Sequence, residues 1–302
     1  MTIPASSEES TQERLLVIQA SSNRGVAARR DGELVGFPFR RRSGRPLPGD
    51  RISLDAAGAL DTIASRDNIF GRGDARGRLK PIAANLDQVI IVIAAEPAPS
   101  RDLLHRYLAA ANIQGIQPLV VVNKSDLTLP DSAPFNELED LGSLGYEVIW
   151  TRCTDGTSLG CLPERVAGRT SLLAGQSGVG KSSLLNTLIP DLAIQTGALS
   201  RVTGKGTHTT TSATLHRLVE GGWVVDTPGV WEYGLWAMET ATLQHGFPEF
   251  ARHSGSCRFR NCRHRDEPGC AIRAASENGT IPAFRHEAWL RLLAEQERLR
   301  RR

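Results

Sequence analysis

A glycine-rich turn that contains one lysine is the clearest chemical feature of the sequence. The apolar run Leu172-Leu173-Ala174 leads into G-x4-G-K-S, and an apolar helix begins just after it. The glycines let the backbone curl so that successive N–H groups point at a phosphate at the helix N-terminus. Lys181 would reach the β- and γ-phosphate oxygens, and the Ser182 hydroxyl would ligate Mg²⁺. This predicted phosphate loop comprises Gly175, Gln176, Ser177, Gly178, Val179, Gly180, Lys181, Ser182 and Ser183.

A second motif predicts which base is bound. Asn123-Lys124-Ser125-Asp126, called here the N-K-S-D loop, follows directly on the apolar run Val120-Val121-Val122. The Asp126 carboxylate can accept hydrogen bonds from guanine N1–H and N2–H, a pair of donors that adenine does not offer. Asn123 would bond the base or brace the loop, and the aliphatic stem of Lys124 would cover the base. We therefore predict that the bound nucleotide is GTP or GDP.

A third motif, Asp226-Thr227-Pro228-Gly229, ends the strand-like run Trp223–Val225. Asp226 would hold Mg²⁺ through water, and the Gly229 N–H would sense the γ-phosphate. Between this motif and the phosphate loop lies a Gly/Thr-rich stretch, residues 203–211, which we predict to be the first switch. Its Thr210 is expected to join Ser182 and Asp226 around the Mg²⁺ ion when the γ-phosphate is present.

The residue that would position the attacking water is less directly indicated. Val230 follows Gly229, and an aliphatic side chain can neither orient nor deprotonate water, so unaided turnover is expected to be slow. His208 in the first switch is the candidate catalytic residue. The competing interpretation is that His208 is a solvated loop histidine.

Three cysteines and one histidine lie within fourteen residues near the C-terminus. The pattern is Cys257-x4-Cys262-x-His264-x5-Cys270. Thiolate and imidazole donors at such short spacing suit one tetrahedral, structural Zn²⁺ without an open position. The segment is short and polar, so we expect the metal to supply its folding energy. Cys153 and Cys161 lie elsewhere and are interpreted as ordinary thiols.

The elements that carry these motifs alternate between strand and helix. Short runs that are apolar at every position, such as Val89–Ile93, would place apolar side chains on both faces of a strand. They predict buried strands of a parallel α/β sheet. A helix is predicted from Ser100 to Ala111, and another from Phe284 to Arg302. In ordinary GTPases the phosphate loop precedes N-K-x-D, whereas here Asn123 precedes Gly175. The order predicts a circularly permuted GTPase domain.

The N-terminal part has a different pattern. From Glu13 to Asp61, short β-rich runs separated by turn signals predict about five strands of a small barrel, OB-like or SH3-like. Arginines crowd it, which indicates either a solvated face or a nucleic-acid surface. The connector 65–80 is rich in Gly and Arg and is predicted to be a mobile basic loop, either a plain linker or an RNA contact. The barrel arginines are Arg29, Arg30, Arg40, Arg41, Arg42 and Arg45.

Composition excludes several classes of protein. The 302 residues are 40% hydrophobic and 23% charged, which is normal for a globular chain and argues against global disorder. No apolar run approaches a membrane span, and residues 1–12 lack the pattern of a secretory signal. An odd number of cysteines argues against a disulfide framework. We therefore expect a cytoplasmic protein without a membrane partner, and a monomer.

These motifs in this order resemble the ribosome small-subunit-dependent GTPases of the RsgA (YjeQ) family. The resemblance extends from about Glu13 to the C-terminal helix. It rests on N-K-S-D, G-Q-S-G-V-G-K-S-S, T-H-T-T-T, D-T-P-G followed by Glu232-Tyr233-Gly234-Leu235, and the cysteine cluster. It implies an OB barrel, a permuted GTPase domain and a zinc domain that act in late assembly of the small ribosomal subunit. The family's small-residue base-contacting loop falls here near Trp150-Thr151-Arg152.

The predicted fold class is α/β: a circularly permuted P-loop GTPase domain with an N-terminal OB-like β-barrel and a C-terminal zinc-binding helical module. The expected boundaries are 13–82, 83–240 and 241–302. The expected function is GTP hydrolysis, stimulated by the small ribosomal subunit, with rRNA as partner. A non-enzymatic RNA-binding module with a structural GTP is the main alternative, and a GTP-driven metal or membrane regulator is another.

Overall fold

The computed structural model describes residues 13–100, 102–153, 158–203, 213–227 and 233–301. The predicted catalytic residue His208, the predicted magnesium ligand Thr210 and the predicted γ-phosphate sensor Gly229 lie outside these ranges. None of the helices in these ranges is long and apolar enough to cross a membrane.

The first five strands form an antiparallel sheet with its own core. They are β1 (Leu15–Ser21), β2 (Arg24–Ala28), β3 (Leu34–Pro38), β4 (Arg51–Leu54) and β5 (Leu60–Ile63). Their order is β3-β2-β1-β4-β5, and a 3-10 turn lies between β3 and β4. Val17, Phe37 and Ile52 pack together at its centre. Five short strands around a small core confirm the predicted β-rich N-terminal module, which fits a partly open OB-like barrel.

The connector forms a β-hairpin, so the prediction of a mobile loop was wrong. Strands β6 (Ile69–Gly73) and β7 (Leu79–Ala84) pair antiparallel. The Asp74 carboxylate accepts hydrogen bonds from the backbone N–H groups of Arg76 and Arg78, at 2.8 and 2.9 Å, and so fixes the turn. Tyr233, far away in the sequence, donates a 2.6 Å hydrogen bond to the Gly71 carbonyl. These contacts order a segment that shows no apolar periodicity.

A six-stranded sheet carries the nucleotide motifs. Its order is β10-β9-β8-β11-β13-β12, and all pairs are parallel except β12 with β13. The predicted parallel strands are therefore confirmed, whereas the short antiparallel edge strand β12 was missed. The strands are β8 (Gln88–Ile93), β9 (Gln117–Val122), β10 (Glu147–Trp150), β11 (Thr170–Gly175), β12 (Thr214–Arg217) and β13 (Trp223–Asp226).

Helices cover both faces of this sheet. Along β8, Ile91 packs in the cluster that contains Leu104, while its neighbour Ile90 packs in the cluster that contains Leu184. Successive strand residues point to opposite faces, so this burial on both sides explains the continuous apolar run. The helices are α1 (Leu103–Ile113), α2 (Leu138–Ser143), α3 (Leu162–Val166), α4 (Lys181–Leu188) and α5 (Leu192–Thr203).

Helix α1 begins later than predicted. It starts at Leu103 rather than Ser100, and Asp102 occupies the N-cap position without a side-chain cap. The Asp102 carboxylate instead accepts a 2.6 Å hydrogen bond from Arg291, in the C-terminal helix. The Asp102 side chain therefore makes a tertiary ion pair rather than a cap on α1.

The C-terminal part contains four helices, of which the second, third and fourth in turn are four, seven and eighteen residues long; the first, third and fourth share a core with α1. They are α6 (Thr240–Gln244), α7 (Ala251–Ser254), α8 (Ala271–Glu277) and α9 (Ala283–Arg300). Trp289 of α9 is buried in the same apolar cluster as Tyr107 of α1. The fully buried Arg285 bonds to the Glu249 carboxylate at 2.6 Å and to His105 of α1 at 3.1 Å. These helices therefore gain packing energy from the helical layer of the sheet, in addition to what a bound metal would supply.

Candidate GTP site and metal centre

The phosphate loop lies at the carboxyl end of β11, where its first glycine ends the strand. Lys181 folds back over the loop and donates hydrogen bonds to the carbonyls of Gly175 (2.8 Å) and Gln176 (2.7 Å). Ser182 and Ser183 lie exposed in the first turn of α4. The N-terminus of a helix of eight residues thus faces solvent next to a lysine, which is the geometry that binds an anion.

The loop is held against the 96–100 segment. Gln176 donates a 3.2 Å hydrogen bond to the Ala98 carbonyl and accepts one of 3.4 Å from the Ser100 N–H. Val179 is buried, whereas Ser177 is half-buried and Gly178 exposed. The loop is therefore braced on one side and open on the other, where a ligand can approach.

The N-K-S-D loop touches the phosphate loop directly. Asn123 is buried, and its side-chain amide donates a 2.9 Å hydrogen bond to the Val179 carbonyl. Its side-chain oxygen accepts a 2.9 Å hydrogen bond from the Thr151 hydroxyl. The Lys124 ammonium donates to the Glu96 carbonyl at 2.8 Å. The Asn123 side chain therefore connects three loops. Because both of its polar atoms are engaged in these contacts, recognition of the base falls to other residues.

Ser125 and Asp126 are exposed at the tip of the N-K-S-D loop. The Ser125 N–H donates a 3.1 Å hydrogen bond to the Thr151 carbonyl, which fixes the tip of the loop against the end of β10. The Asp126 carboxylate is thus presented to solvent beside the phosphate loop. An exposed carboxylate on a braced loop can accept two hydrogen bonds from a base edge.

Asp226 and Lys181 are both half-buried, and each affects the pKa of the other. Burial raises the pKa of the Asp226 carboxyl, while the charge of Lys181 acts to lower it. Burial lowers the pKa of the Lys181 ammonium, while the charge of Asp226 acts to raise it. Thr227, next to Asp226, is buried and donates a 3.3 Å hydrogen bond to the Leu173 carbonyl. Polyphosphate and a divalent cation together would stabilise both charged forms.

Sequence reasoning missed the role of Thr151. It is buried and hydrogen-bonds Asn123, and Cys153 lies 3.7 Å from the same Asn123 oxygen. Both residues lie in the loop after β10, where the family resemblance predicts a base-contacting loop. The position of that loop at the end of a strand was the available signal, whereas the contact itself depends on tertiary structure.

The predicted metal ligands converge at a second site, in the C-terminal helices. One donor atom from each of Cys257, Cys262, His264 and Cys270 lies within 4.8 Å of every other. His264 Nδ1 is 3.6 Å from the Cys257 sulfur and 3.5 Å from the Cys270 sulfur. A tetrahedral Zn²⁺ with bonds of about 2.3 Å to sulfur and about 2.0 Å to nitrogen separates S and N by about 3.5 Å. The donors therefore fit a metal ion of this size and geometry.

The residues around the cluster orient its ligands and affect their protonation. The other ring nitrogen of His264 lies 3.2 Å from the Gln244 side-chain oxygen, which orients Nδ1 toward the sulfurs. Burial lowers the pKa of His264, which favours the neutral, ligating imidazole. Burial raises the pKa of the Cys262 thiol to about 12, so a cation is needed to hold it as a thiolate at neutral pH.

The arginines around this cluster are only partly available to a partner. Arg263 and Arg265 each lie 3.3 Å from the Glu297 carboxylate of α9. Arg258 lies over the ring of Phe259, a large apolar side chain that is exposed. Arg258 and Arg260, by contrast, are exposed beside the cluster.

Comparison with known proteins decides the family. The sequence profile of the RsgA GTPase family matches residues 63–236, which include the N-K-S-D loop, the phosphate loop and Asp226. The chain belongs to the RsgA GTPase family. The predicted family and the predicted GTPase activity are thereby confirmed.

Relatives extend the match beyond the profile. The small ribosomal subunit biogenesis GTPase RsgA of Chromohalobacter salexigens is 46% identical over 243 residues, which are 79% of this chain and 71% of that protein. The protein of the same name from Haemophilus influenzae is 37% identical over 295 residues, 94% of this chain and 84% of that protein. Family membership therefore includes the barrel and the Cys/His cluster.

Solved structures confirm the fold. YjeQ from Thermotoga maritima superposes with a TM-score of 0.75 at 31% identity, covering 94% of this chain and 98% of that one. YloQ, a circularly permuted GTPase, superposes with a TM-score of 0.73 at 28% identity, covering 97% and 98%. The permutation inferred from the order of Asn123 and Gly175 is thus confirmed.

Proposed function

We propose that this chain hydrolyses GTP in late maturation of the small ribosomal subunit, binds its rRNA in the GTP state and leaves after hydrolysis. The two RsgA relatives described above are named for small ribosomal subunit biogenesis. The observation that supports the proposal most is the 2.9 Å hydrogen bond from Asn123 to Val179, which joins a guanine-type loop to a phosphate loop.

The proposed roles in the nucleotide site follow from position. Asp126 recognises the guanine edge, and the stem of Lys124 covers the base. The backbone N–H groups of residues 175–183 and the Lys181 ammonium hold the phosphates. Ser182 and Asp226, together with Thr210, hold Mg²⁺, which neutralises charge on the β- and γ-phosphate oxygens when bound.

Hydrolysis by the isolated protein is proposed to be slow. Val230 cannot orient a water, and we assign that task to His208 in the first switch. Contact with the small subunit would order the switch and bring His208 to the water, raising turnover. Gly229 would report the presence of the γ-phosphate.

We propose that the RNA contacts are made by the barrel and by the Cys/His cluster. Arg40, Arg42 and Arg45 are exposed on the barrel, and Arg258 with Phe259 is exposed beside the cluster. Guanidinium groups neutralise phosphates, and an exposed ring can stack on a base. The metal is proposed to be one structural Zn²⁺, and the protein to act as a cytoplasmic monomer.

The test is GTP turnover with and without purified small ribosomal subunits. We expect a slow basal rate that rises at least tenfold with small subunits, and not with large subunits, and that falls back as salt is added. His208→Ala should lose the stimulated rate, while His245→Ala, at an exposed histidine outside the switch, should retain it. Equal turnover with and without small subunits would contradict the proposal. Full stimulation of His208→Ala would contradict only the assignment of the water-positioning residue.

A further inference from the structure

A cavity of about 470 Å³ lies where the barrel meets helix α5. It is lined by the turn between β1 and β2, by one end of β3, and by Val202 of α5. A Cβ atom on Gly36 of β3 would lie 3.3 Å from the Val202 side chain, so the helix and the barrel touch at this point. The volume is within the range of sites that enclose a small ligand.

The lining has two chemical characters. Its polar, exposed part includes Ser22 and Asn23 of the turn and Arg24, the first residue of β2. Its apolar part includes the buried Phe37 and the partly exposed Val202. A polar edge facing an apolar wall suits a planar group with hydrogen-bonding edges, such as a nucleobase. Arg24 adds a cation for the attached phosphate.

Positive charge continues from the cavity along the barrel. The Phe39 N–H donates a 2.9 Å hydrogen bond to the Asn23 carbonyl, and Arg40 follows directly after Phe39. Arg42 and Arg45 are exposed a few residues further on. A chain of phosphates leaving the cavity would therefore meet further guanidinium groups. This favours a nucleotide of a longer RNA over a free small molecule.

The cavity lies beside the end of α5 that leads into the predicted first switch, and β12, which follows that switch, packs on the same barrel. Val202 lies near the C-terminal end of α5, two residues before residue 204, and β12 begins at Thr214. Helix α5 contacts β2 and β3 of the barrel, and β12 contacts β1. Gln195 of α5 also exchanges two hydrogen bonds, of 2.9 and 3.0 Å, with the backbone of Arg217 in β12. The helix, the edge strand and the barrel thus pack against one another.

We propose that this cavity binds one unpaired nucleotide of RNA and that its occupancy acts, through Val202 and α5, on the first switch. A nucleotide seated between the turn and Val202 would hold the end of α5, from which the predicted switch continues. RNA recognition at the barrel is then coupled to GTP turnover without passing through the Cys/His cluster. The proposal rests on the RNA-binding function proposed above.

The first experiment measures binding of a fluorescent ten-nucleotide RNA without secondary structure, and of the same strand paired in a duplex. Val202→Trp fills the cavity from the helix side, where the native valine is 40% exposed and leaves room for a larger ring. Val219→Trp is the matched control, because this valine is 70% exposed in another turn. Asn23→Ala removes a hydrogen-bonding group from the barrel side without altering α5.

We expect Val202→Trp and Asn23→Ala each to weaken binding of the unpaired strand by at least about fivefold, as loss of one seated base predicts. Val219→Trp should bind like the native protein, and the duplex should bind all four proteins alike. Unchanged affinity in both cavity variants, or tighter binding of the duplex than of the single strand by the native protein, would overturn the proposal.

Hydrogen exchange then tests the coupling. Adding the unpaired RNA should slow exchange of the amides of residues 199–203 and 214–217 in the native protein and not in Val202→Trp. If exchange at these amides does not change in the native protein, the proposed coupling is overturned.

GTP turnover with small subunits distinguishes failure of the cavity proposal from failure of the proposed function. If small subunits stimulate the native protein and Val202→Trp to the same rate, the cavity proposal fails and the proposed function stands. If they fail to stimulate the native protein, the proposed function fails.

Discussion

The Asn123 side chain donates a 2.9 Å hydrogen bond to the carbonyl of Val179, and so connects the N-K-S-D loop to the phosphate loop. The two residues are 56 positions apart, and each follows a different strand of one parallel sheet. The carboxyl ends of parallel strands meet at the same edge, which is where open α/β sheets bind their ligands. The permuted order of the motifs therefore leaves the pocket intact.

Gly180 is required for this connection. Its φ is +96°, and a Cβ there would lie 2.2 Å from the Asn123 side-chain nitrogen. We expect Gly180→Ala to weaken GTP binding by about tenfold to a hundredfold, since the strained backbone and displaced Asn123 cost about 1–3 kcal/mol. Fluorescent GTP titration measures this.

Gly142→Ala is the matched control for that substitution. Gly142 lies in helix α2, its φ is not positive, and a Cβ there would meet no atom within 4 Å. This variant should bind GTP as the native protein does. Equal affinities of Gly180→Ala and Gly142→Ala would contradict the role of the Asn123–Val179 contact.

Metal content tests the Cys/His cluster. We expect the native protein to contain about one Zn²⁺ per chain by elemental analysis, and Cys262→Ser to contain much less, because a buried serine cannot replace the thiolate. Loss of the metal should also lower the melting temperature. Cys161→Ser is the control, since Cys161 is an exposed thiol outside the cluster. A full zinc complement in Cys262→Ser would exclude this ligand set.

Acid should destabilise the protein through His216. Burial lowers the pKa of His216 to about 4, below the 6.5 of an exposed histidine. The unfolded chain therefore binds more protons than the folded chain between these values, and stability falls as the pH drops through this window. From pH 7.5 to 5, His216 alone should remove about 2 kcal/mol from the free energy of unfolding.

The measurement is urea unfolding of the native protein and His216→Leu at both pH values. The difference between the two proteins removes the contribution of the Cys/His cluster, which also binds protons. His216→Leu should lose about 2 kcal/mol less than the native protein on acidification. Equal losses in both proteins would show that His216 is not the group responsible.

The sequence predicts much of this fold because the buried strands and the motifs are local signals. Val120–Val122 and Leu172–Ala174 carry apolar side chains on both faces of their strands, because helices cover both faces of the sheet. The hairpin at β6 and β7 gave no such signal. Its order depends on a turn fixed by Asp74 and on Tyr233, which lies 162 residues from the Gly71 carbonyl that it bonds.

The candidate site was predictable to a similar extent. Residue type and spacing indicate Lys181, Ser182 and Asp226, because their chemistry is specific. The contact of Thr151 with Asn123 depends on how two loops meet, and no periodicity encodes it. The edge strand β12 was missed because Thr214–Arg217 is short and antiparallel, without the apolar run of its neighbours.

Nucleotide selectivity tests the central claim, that Asp126 and Lys181 bind opposite ends of one guanosine triphosphate. The affinities of GTP, ATP and xanthosine triphosphate are measured by competition with fluorescent GTP, for the native protein and for Asp126→Asn. We expect the native protein to prefer GTP over ATP by at least a hundredfold. Asp126→Asn should lose GTP and gain the xanthine nucleotide, whose C2 carbonyl accepts a hydrogen bond where guanine donates one. ATP binding as tightly as GTP, or an unchanged preference in Asp126→Asn, would contradict the account.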